Sequence, residues 1–309
     1  MADEPSRRLD VQHRIEDMTF RALLGALKLL PYRLRLSLMG GLMSRVVAPL
    51  AGYSARIREN LAHACPDLPE DEIRRLQREV PDNVGRTLVE LYAGKPFFKA
   101  VAESTLEGPG ADAVREAHAH GRAVIVVTAH LGNYLAPRVA FDQIGISSAA
   151  LYNPMKNPYF NEHYVRAMQA TGGMMVGRDR KSYGKLLRHL KEGGIAAIVM
   201  DQYMAHGAPL TFFGQIAPTA TSAAELALKY DALFVPIYGV RAKDGVHFDL
   251  VCEAPIPHSD ADTMTQAAND SLEALVRKHM GQWFWIHRRW KPERRIRGRL
   301  RGRKGTGDS

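Results

Sequence analysis

Residues 123–133 read AVIVVTAHLGN, an apolar run that ends at a histidine followed by leucine, glycine and asparagine. Further apolar runs lie at 148–152, 194–200, 232–240 and 248–256. Helical patterns separate them, at 136–143, 158–171, 181–192, 221–230 and 263–280. Apolar runs without polar alternation, separated by helices, are typical of parallel strands buried on both faces. The sequence therefore predicts an α/β fold with a mostly parallel central sheet and helices on both faces.

Two of the predicted strands end in polar signatures, VTAHLGN and IVMDQ. In open sheets of this kind, ligands bind in the crevice outside the carboxyl ends of the strands. His130 and Asp201 are therefore expected to face one cleft, where a neutral imidazole could accept a proton at physiological pH. Gly132 and Asn133 allow a tight turn after the histidine, and Asn133 is a candidate for substrate binding. A histidine at a strand end is also compatible with a purely structural role.

Several other chemistries lack their motifs in this sequence. There is neither a G-x-S-x-G nucleophile elbow nor an H-E-x-x-H zinc helix. The sequence GPGADA, from residue 108, is read as a turn. The only cysteines, Cys65 and Cys252, argue against a disulfide framework and against a cysteine-rich metal site. The sequence therefore predicts neither a metal nor a cofactor.

The net charge of the 309-residue chain is +9, which favours partners that carry phosphate or carboxylate groups. Anionic membrane lipid and an acidic carrier protein fit this charge. Nucleic acid would also need aromatic side chains on a base-stacking surface, and nothing else in the sequence supports that partner. Much of the excess charge lies in the tail at 294–304, which is either a solvated extension or a contact for anionic headgroups.

The first 53 residues are predicted to form a separate helical segment that associates with a membrane. Within residues 18–53, basic side chains interrupt a stretch rich in leucine and methionine, which excludes a spanning helix of roughly 20 apolar residues. Such a pattern favours helices that lie in the membrane interface, although ordinary packed helices would show it too. No signal peptide is recognisable at the start of the chain. An α/β domain at 54–293 and a basic tail at 294–309 complete the predicted organisation.

Two later segments contain further candidates for ligand contact. In residues 209–230, Thr219 and Thr221 precede a helix whose N-terminus could face an anion. Residues 282–293 read QWFWIHRRWKPE, in which Arg288 could bind phosphate and the tryptophans could meet an interface or an acyl chain. Both segments are also compatible with a purely structural role in packing.

The ordered set of motifs from about residue 53 to 293 resembles the late acyltransferases of bacterial lipid A biosynthesis, within the lysophospholipid acyltransferase superfamily. The similarity comprises ARIRENLAHACPDL, VTAHLGNY, LYNPMKNPYFNEHYVRAM, LLRHLKEGGIAAIVMDQ, PLTFFGQIAPTATSAAELALKYDALFVPIYGVR and QWFWIHRRWKPE. The resemblance implies a glycerolipid acyltransferase-like fold at the cytoplasmic face of the bacterial inner membrane. It also implies acyl transfer from acyl carrier protein, or from a coenzyme A thioester, to a hydroxyl of a lipid A precursor or a lysolipid.

Residue roles follow from the same resemblance. By motif position, His130 is the general base that activates the lipid acceptor, with neither a covalent intermediate nor a metal. Arg166 and Arg178 match basic positions that meet phosphate or the thioester, and Asp201 matches the acid of the DQ block.

Two positions depart from the family pattern. Leu135 stands where an aspartate or glutamate usually orients the histidine, and Asn153 stands where an arginine usually follows tyrosine. Leucine cannot stabilise an imidazolium, and loss of an orienting acid costs about 10²–10⁴ in turnover unless another group replaces it. Three interpretations remain: an acyltransferase in which another acid, such as Asp201, partners His130; an impaired relative that binds lipid or membrane; or a different transfer or hydrolytic reaction on the same fold.

Overall fold

The computed structural model describes residues 4–104, 106–177 and 179–291, with side chains from Leu9 onward. Most of the described chain is helical. The α-helices are α1 (Glu4–Lys28), α2 (Tyr32–Leu42), α3 (Ala48–Leu50), α4 (Tyr53–Ala64), α5 (Glu70–Ala93), α6 (Lys95–Ala102), α7 (Ala111–Ala119), α8 (Ala136–Gln143), α9 (Pro158–Ala170), α10 (Arg180–Lys191), α11 (Ser222–Lys229) and α12 (Ala261–Lys278). A π-helical turn (Met43–Val47) joins α2 to α3, and a 3₁₀ turn (Met280–Gln282) follows α12.

The central sheet has seven strands in the order β1-β9-β8-β2-β5-β3-β4. Five of them, β8, β2, β5, β3 and β4, are parallel, whereas β9 is antiparallel to β8 and parallel to β1. A two-stranded hairpin, β6–β7, lies apart from this sheet. The strands are β1 (Leu106–Glu107), β2 (Val124–Thr128), β3 (Ser148–Leu151), β4 (Met174–Val176), β5 (Ile195–Val199), β6 (Thr211–Phe212), β7 (Gln215–Ile216), β8 (Leu233–Arg241) and β9 (Phe248–Cys252).

Helices cover both faces of this sheet, as the apolar runs of the sequence predict. In β2, Ile125 and Val127 join a buried cluster with residues of α10, α11 and α12. Their neighbours Val124 and Val126 point to the opposite face and pack with α7 and α8. Because successive side chains of a strand alternate between faces, a strand covered on both sides must be apolar throughout.

The predicted strands and helices are found close to their predicted limits, and the predicted fold class is confirmed. The run at 248–256 is the main exception, because β9 ends at Cys252. The chain beyond Cys252 contains Pro255, which has no amide hydrogen to donate to a ladder. Helix α7 and the short strands have no counterpart in the predictions. Strands β1 and β4 and the hairpin β6–β7 have only two or three residues per strand, too few for a pattern to show.

The N-terminal helices pack on α5, the long helix that precedes the sheet. Leu36 and Met39 of α2 share a buried cluster with Val89 of α5. A side chain at Gly85 would collide with the backbone of Met39, so glycine at this position lets α2 and α5 approach closely. Helix α5 begins after Pro69 with three acidic residues in its first turn, which complement the helix dipole.

Within the described ranges, no single helix combines the length and the apolarity needed to cross a bilayer. One bent pair, Tyr32–Leu50 with Tyr53–Ala64 at 84°, meets both requirements when its two arms are taken together. The domain boundaries at residues 53 and 293 stay predictions. The basic tail at 294–304 lies outside the described residues.

Candidate active site

The register of the sheet places His130 opposite Asp201. Strands β2 and β5 are parallel neighbours, and Thr128 of β2 pairs with Val199 of β5. His130 and Asp201 each lie two residues beyond that pair, so both stand at the same height above the carboxyl edge of the sheet. The Nδ1 atom of His130 lies 2.8 Å from Oδ1 of Asp201. Two residues that are 71 positions apart in the chain are thereby brought together.

Asp201 accepts three hydrogen bonds, all from fixed donors. Its Oδ2 atom accepts from the backbone N–H of His130 and from the indole N–H of Trp283, each at 2.9 Å. Because a carboxylate only accepts, the proton between His130 and Asp201 is assigned to Nδ1. The Nε2 atom of His130 is then unprotonated in the neutral ring and can take a proton from a ligand.

His130 and Asp201 shift each other's pKa in opposite directions. Burial disfavours the charged imidazolium, but the Asp201 carboxylate outweighs burial and raises the pKa of His130 above 6.5. Burial alone would raise the pKa of the Asp201 carboxyl, yet His130 and the surrounding N–H donors hold that pKa below its usual range. Asp201 is therefore a carboxylate, and it stabilises the imidazolium that forms when His130 accepts a proton.

A second histidine near Asp201 cannot act in the same way. Nε2 of His287 accepts a hydrogen bond from the backbone N–H of Tyr203 at 3.0 Å. Burial lowers the pKa of His287 to about 4, so its ring is neutral and its acceptor nitrogen is occupied. His130 is thus the better placed of the two imidazoles to receive a proton.

His130 lines a cavity of about 270 Å³ at this edge of the sheet. The ends of β2, β3 and β5 form one side of the cavity, and the loops that follow these strands line it together with residues of α8, α9 and α11. Much of the lining is apolar. The larger polar side chains in it are Tyr134, Arg138, Tyr152, Asn153, Tyr164 and Gln202.

Leu135 borders the same cavity but belongs to the apolar core. It is fully buried and packs in a cluster with Phe97, Val139 and Met168. A leucine is thus accommodated by its surroundings at the position where the family pattern has a carboxylate. Asp201 reaches His130 from the neighbouring strand instead.

The turn that carries His130 is held by a buried polar network from α5 and β8. Nδ2 of Asn83 and the Thr87 hydroxyl both donate to the Gly132 carbonyl oxygen, each at 3.0 Å. Gly132 has a positive φ of 56°, and a side chain there would collide with the Gly239 carbonyl oxygen. Arg241 bonds to Asn83 and pairs with the buried Glu90. The sequence shows no periodic signal for this network.

Asn133 has a structural position and not the predicted place in the cleft. It is fully buried, its amide nitrogen donates to Glu90 at 2.7 Å, and its amide oxygen accepts from the Leu135 N–H at 2.8 Å. Both ends of the side chain are used to shape the turn before α8. Its hydrogen-bonding capacity is therefore not directed at a ligand.

The two predicted arginines that the structure describes, Arg166 and Arg288, do not line the cavity. Arg166 is exposed on α9, where it pairs with Glu162 of the same helix. Arg288 is exposed beyond the 3₁₀ turn and does not line the cavity. Arg178 lies outside the described residues. Asn153, in contrast, does line the cavity beside Tyr152.

The tryptophans of the aromatic segment, described as far as residue 291, belong to the core and not to an exposed surface. Trp283, Trp285 and Trp290 are buried and pack against Phe212 and Phe213. Trp283 reaches Asp201 because the chain beside it bonds to the His130 turn, where the Gly132 N–H donates to the Gln282 carbonyl oxygen. The expectation that these tryptophans meet a membrane interface or an acyl chain is wrong, since apolar burial explains them.

The segment at 209–230 is likewise mainly structural. The Thr219 hydroxyl is buried between Ala217 and Arg289, and the Thr221 hydroxyl donates to Glu225 instead of capping α11. Ser222 and Ala223, the first residues of α11, do line the cavity. Over the described ranges, no cluster of three histidine, cysteine or acidic side chains could hold a metal ion.

The structure thus combines a mostly parallel α/β sheet with a histidine–aspartate pair beside a cavity. This geometry would allow the histidine to take a proton from a ligand in the cavity. Comparison with known families gives the particular class. The family model for bacterial lipid A biosynthesis acyltransferases matches residues 5–292. The chain therefore belongs to that family. It is similar to a lipid A biosynthesis acyltransferase of Haemophilus influenzae, with 22% identity over 267 residues that cover 84% of this chain and 82% of that protein.

Proposed function

We propose that this chain transfers a fatty acyl group from acyl carrier protein, or from a coenzyme A thioester, to a hydroxyl of a lipid A precursor or a lysolipid. The observation that carries the proposal is the His130–Asp201 pair at the cavity. The bond at Nδ1 leaves Nε2 as the proton acceptor, and the buried carboxylate compensates the charge that this proton brings. Asp201 thus supplies what Leu135 cannot.

The reaction balances with these groups alone. Nε2 of His130 takes the proton of the acceptor hydroxyl while its oxygen attacks the thioester carbonyl carbon. The new C–O bond gives a tetrahedral intermediate with a negative oxygen. That intermediate collapses with cleavage of the C–S bond, and the proton held by His130 goes to the departing thiolate. The products are the acylated lipid and the free thiol.

The acceptor class is tested in a deletion strain and with the purified full-length chain. Mass spectrometry of lipid A from the deletion strain is expected to show the loss of one secondary acyl chain, restored by the wild-type gene. The purified chain is expected to transfer dodecanoyl groups from acyl carrier protein to the lipid A precursor that accumulates. An unchanged lipid A profile would favour a lysolipid as the acceptor, and the absence of transfer in vitro to both a lipid A precursor and a lysolipid would contradict the proposal.

The N-terminal helices support a position on the cytoplasmic face of the inner membrane. Helices α1–α3 and their connections expose several large apolar side chains, including Met18 at 69%, Leu29 at 87% and Leu50 at 85%. Basic residues lie among them, such as Arg21 and Arg33, whose side chains are more than half exposed. Apolar side chains among cations fit a helical surface that rests in an anionic leaflet.

Removing two of these leucines should weaken binding to membranes. Burial of a leucine side chain stabilises by about 1.5–3 kcal/mol when complete, so Leu29→Ser with Leu50→Ser should lower partitioning by at least about tenfold. The measurement is sedimentation with vesicles that contain phosphatidylglycerol. Ile144→Ser is the matched control, because Ile144 is 59% exposed at the end of α8. Equal partitioning of the double variant and the control would contradict a role for this surface.

A basic surface on α10 supports acyl carrier protein as the donor. Arg180, Lys181, Lys185 and Arg188 are exposed on one helix. Three residues separate the end of β4 from the start of α10, which lies at the same edge of the sheet as His130 and Asp201. An acidic carrier bound there would be next to the cavity edge, where its thioester is needed.

Charge reversal on this surface should affect transfer from acyl carrier protein more than transfer from coenzyme A. Lys185→Glu with Arg188→Glu is expected to raise KM for acyl carrier protein by about tenfold, since each reversal replaces an attraction with a repulsion. KM for the matching coenzyme A thioester should change much less. Lys229→Glu with Lys278→Glu, at the ends of α11 and α12, is the control for net charge. A similar rise in KM for both donors, or for the control, would argue against carrier docking on α10.

A further inference from the structure

Arg138 is a buried cation in the lining of the catalytic cavity. Its side chain projects from α8 and is 3% exposed. One guanidinium nitrogen donates to the Gly172 carbonyl oxygen and the other contacts the Met175 sulfur at 3.0 Å. The Nε atom is buried and has no hydrogen-bond partner. Across the described ranges no carboxylate forms an ion pair with Arg138, although exposed Asp142 favours its charge from one helical turn away.

A buried guanidinium without an ion-pair partner requires an explanation, because an uncompensated charge in an apolar interior is costly. Arg241 shows the usual solution in the same protein, since it is equally buried and forms an ion pair with Glu90. Burial lowers the pKa of Arg138 only to about 10, so the group stays positive at neutral pH. The charge is therefore present in the cavity and is not balanced by a neighbouring acid.

A second buried arginine, Arg289, differs from Arg138 in its position relative to the cavity. Among the residues that the structure describes, Arg289 also has no carboxylate partner, and its Nε atom is unbonded. Its other nitrogens donate to the Pro218 carbonyl oxygen at 2.8 Å and to the Thr219 hydroxyl at 2.6 Å. It lies over the Phe212 ring and does not line the cavity. Arg289 thus stabilises a loop, whereas Arg138 faces the space that a ligand would occupy.

We propose that Arg138 binds a carboxylate carried by one of the two reacting molecules. The proposal rests on the proposed acyl transfer, because it concerns the cavity beside His130. The single positive charge of Arg138 matches the single negative charge of a carboxylate. His130 is the only other basic side chain in the described lining, so the two negative charges of a phosphate dianion would not both be balanced. The hydroxyls of Tyr134 and Tyr164 interact with each other beside Arg138 and offer further polar contacts.

The carboxylate has two possible sources, which share the same chemistry. It belongs either to the acceptor lipid, as in a lipid built on an amino acid, or to the far end of the acyl chain, as in a dicarboxylic acyl group. Two matched pairs of probes separate them. The donor pair is dodecanoyl-coenzyme A and the monothioester of dodecanedioic acid. The acceptor pair is N-(3-hydroxyhexadecanoyl)glycine and its uncharged amide.

The test compares kcat/KM for each pair in the wild type, Arg138→Met and Arg138→Lys. In the wild type, one carboxylate probe should exceed its uncharged match by about 10- to 100-fold, the range expected for a charge-assisted hydrogen bond. Arg138→Met should bring that ratio close to one, and Arg138→Lys should keep part of it. The pair that shows the preference identifies the source. Arg289→Met is the control, expected to lower Tm and leave the ratio unchanged.

A binding measurement keeps the inference independent of turnover. N-dodecanoylglycine has no hydroxyl to acylate, and calorimetry should show it binding at least tenfold more tightly than its amide in the wild type but not in Arg138→Met. No preference for any carboxylate probe, or a preference that persists in Arg138→Met, would overturn the assignment. Absence of all acyl transfer would instead contradict the proposed function, while the calorimetry would still decide the role of Arg138.

Discussion

Replacement of His130 by alanine is expected to lower kcat for acyl transfer by about 10²–10⁴-fold, the range supplied by a positioned general base. In the proposed reaction the His130 imidazole takes the proton of the acceptor hydroxyl, and the other nearby imidazole, His287, already accepts a hydrogen bond. KM for the donor should change little, because the cavity loses only one lining side chain. The measurement is steady-state transfer of dodecanoyl groups with saturating donor.

The fold of the His130→Ala variant needs a separate control. His130 is partly exposed, so its removal leaves the buried core intact, and circular dichroism should show an unchanged spectrum. His206→Ala is a matched variant, because His206 follows the neighbouring strand β5 but does not line the cavity. Native activity in His130→Ala would refute the assignment of the base and favour a non-catalytic chain or a different reaction.

Replacement of Asp201 by asparagine is expected to lower kcat by about 10²–10⁴-fold while preserving the shape of the site. The oxygen at the Oδ2 position accepts from two N–H donors, His130 and Trp283, so the amide oxygen must occupy it. The amide NH₂ group then faces Nδ1 of His130. The ring must hold its proton on Nε2 to accept from that group, and a protonated Nε2 cannot serve as the base.

One spectroscopic and one kinetic measurement distinguish this effect from unfolding of the variant. In ¹⁵N spectra of the protein labelled at histidine, the His130 proton should move from Nδ1 to Nε2 in Asp201→Asn. The acidic limb of the kcat/KM profile should shift to lower pH, since the carboxylate that raises the pKa of His130 is gone. Asp201→Glu should retain more activity than Asp201→Asn. Equal activity of the wild type and Asp201→Asn would remove Asp201 from the mechanism.

The same pair makes stability depend on pH in a defined window. The pKa of His130 is higher in the folded chain than 6.5, so its contribution is complete below about pH 6.5 and is lost as pH rises through the folded value. The pKa of Asp201 is lower than 3.8, so its contribution is complete above about pH 3.8 and is lost as pH falls through the folded value. The difference in Tm between the wild type and Asp201→Asn should therefore be largest near pH 5.

The sheet can be predicted from the sequence because each strand that is buried on both faces is a continuous apolar run. The run at 123–129 and the polar residues after it predict both a strand and an exposed edge. The same reasoning predicts that His130 and Asp201 lie at one edge of the sheet, since parallel neighbours end at the same edge, but the buried Asp201 does not itself line the cavity. It could not give their register, which depends on the pairing of Thr128 with Val199 across 71 positions of sequence.

Other parts of the site depend on contacts that leave no local pattern. Trp283 reads as one aromatic residue among several in its segment, and only the folded chain shows its N–H bonded to Asp201. Asn133 looks like a ligand contact because it follows a catalytic-type histidine, yet Glu90 on α5 uses its amide. Arg138 lies on a short helix where no periodicity distinguishes a cavity-lining arginine from a solvated one.

Helix α5 holds two parts of the molecule at once. One side of α5 packs against α2. Asn83 and Thr87 of the same helix donate hydrogen bonds to the Gly132 carbonyl oxygen in the turn after His130. Truncation of the first 53 residues would therefore expose Val89 and its neighbours on α5 to solvent, and it should loosen the helix that holds the turn after His130. Inactivity of a shortened version would consequently say little about which residues carry out the chemistry.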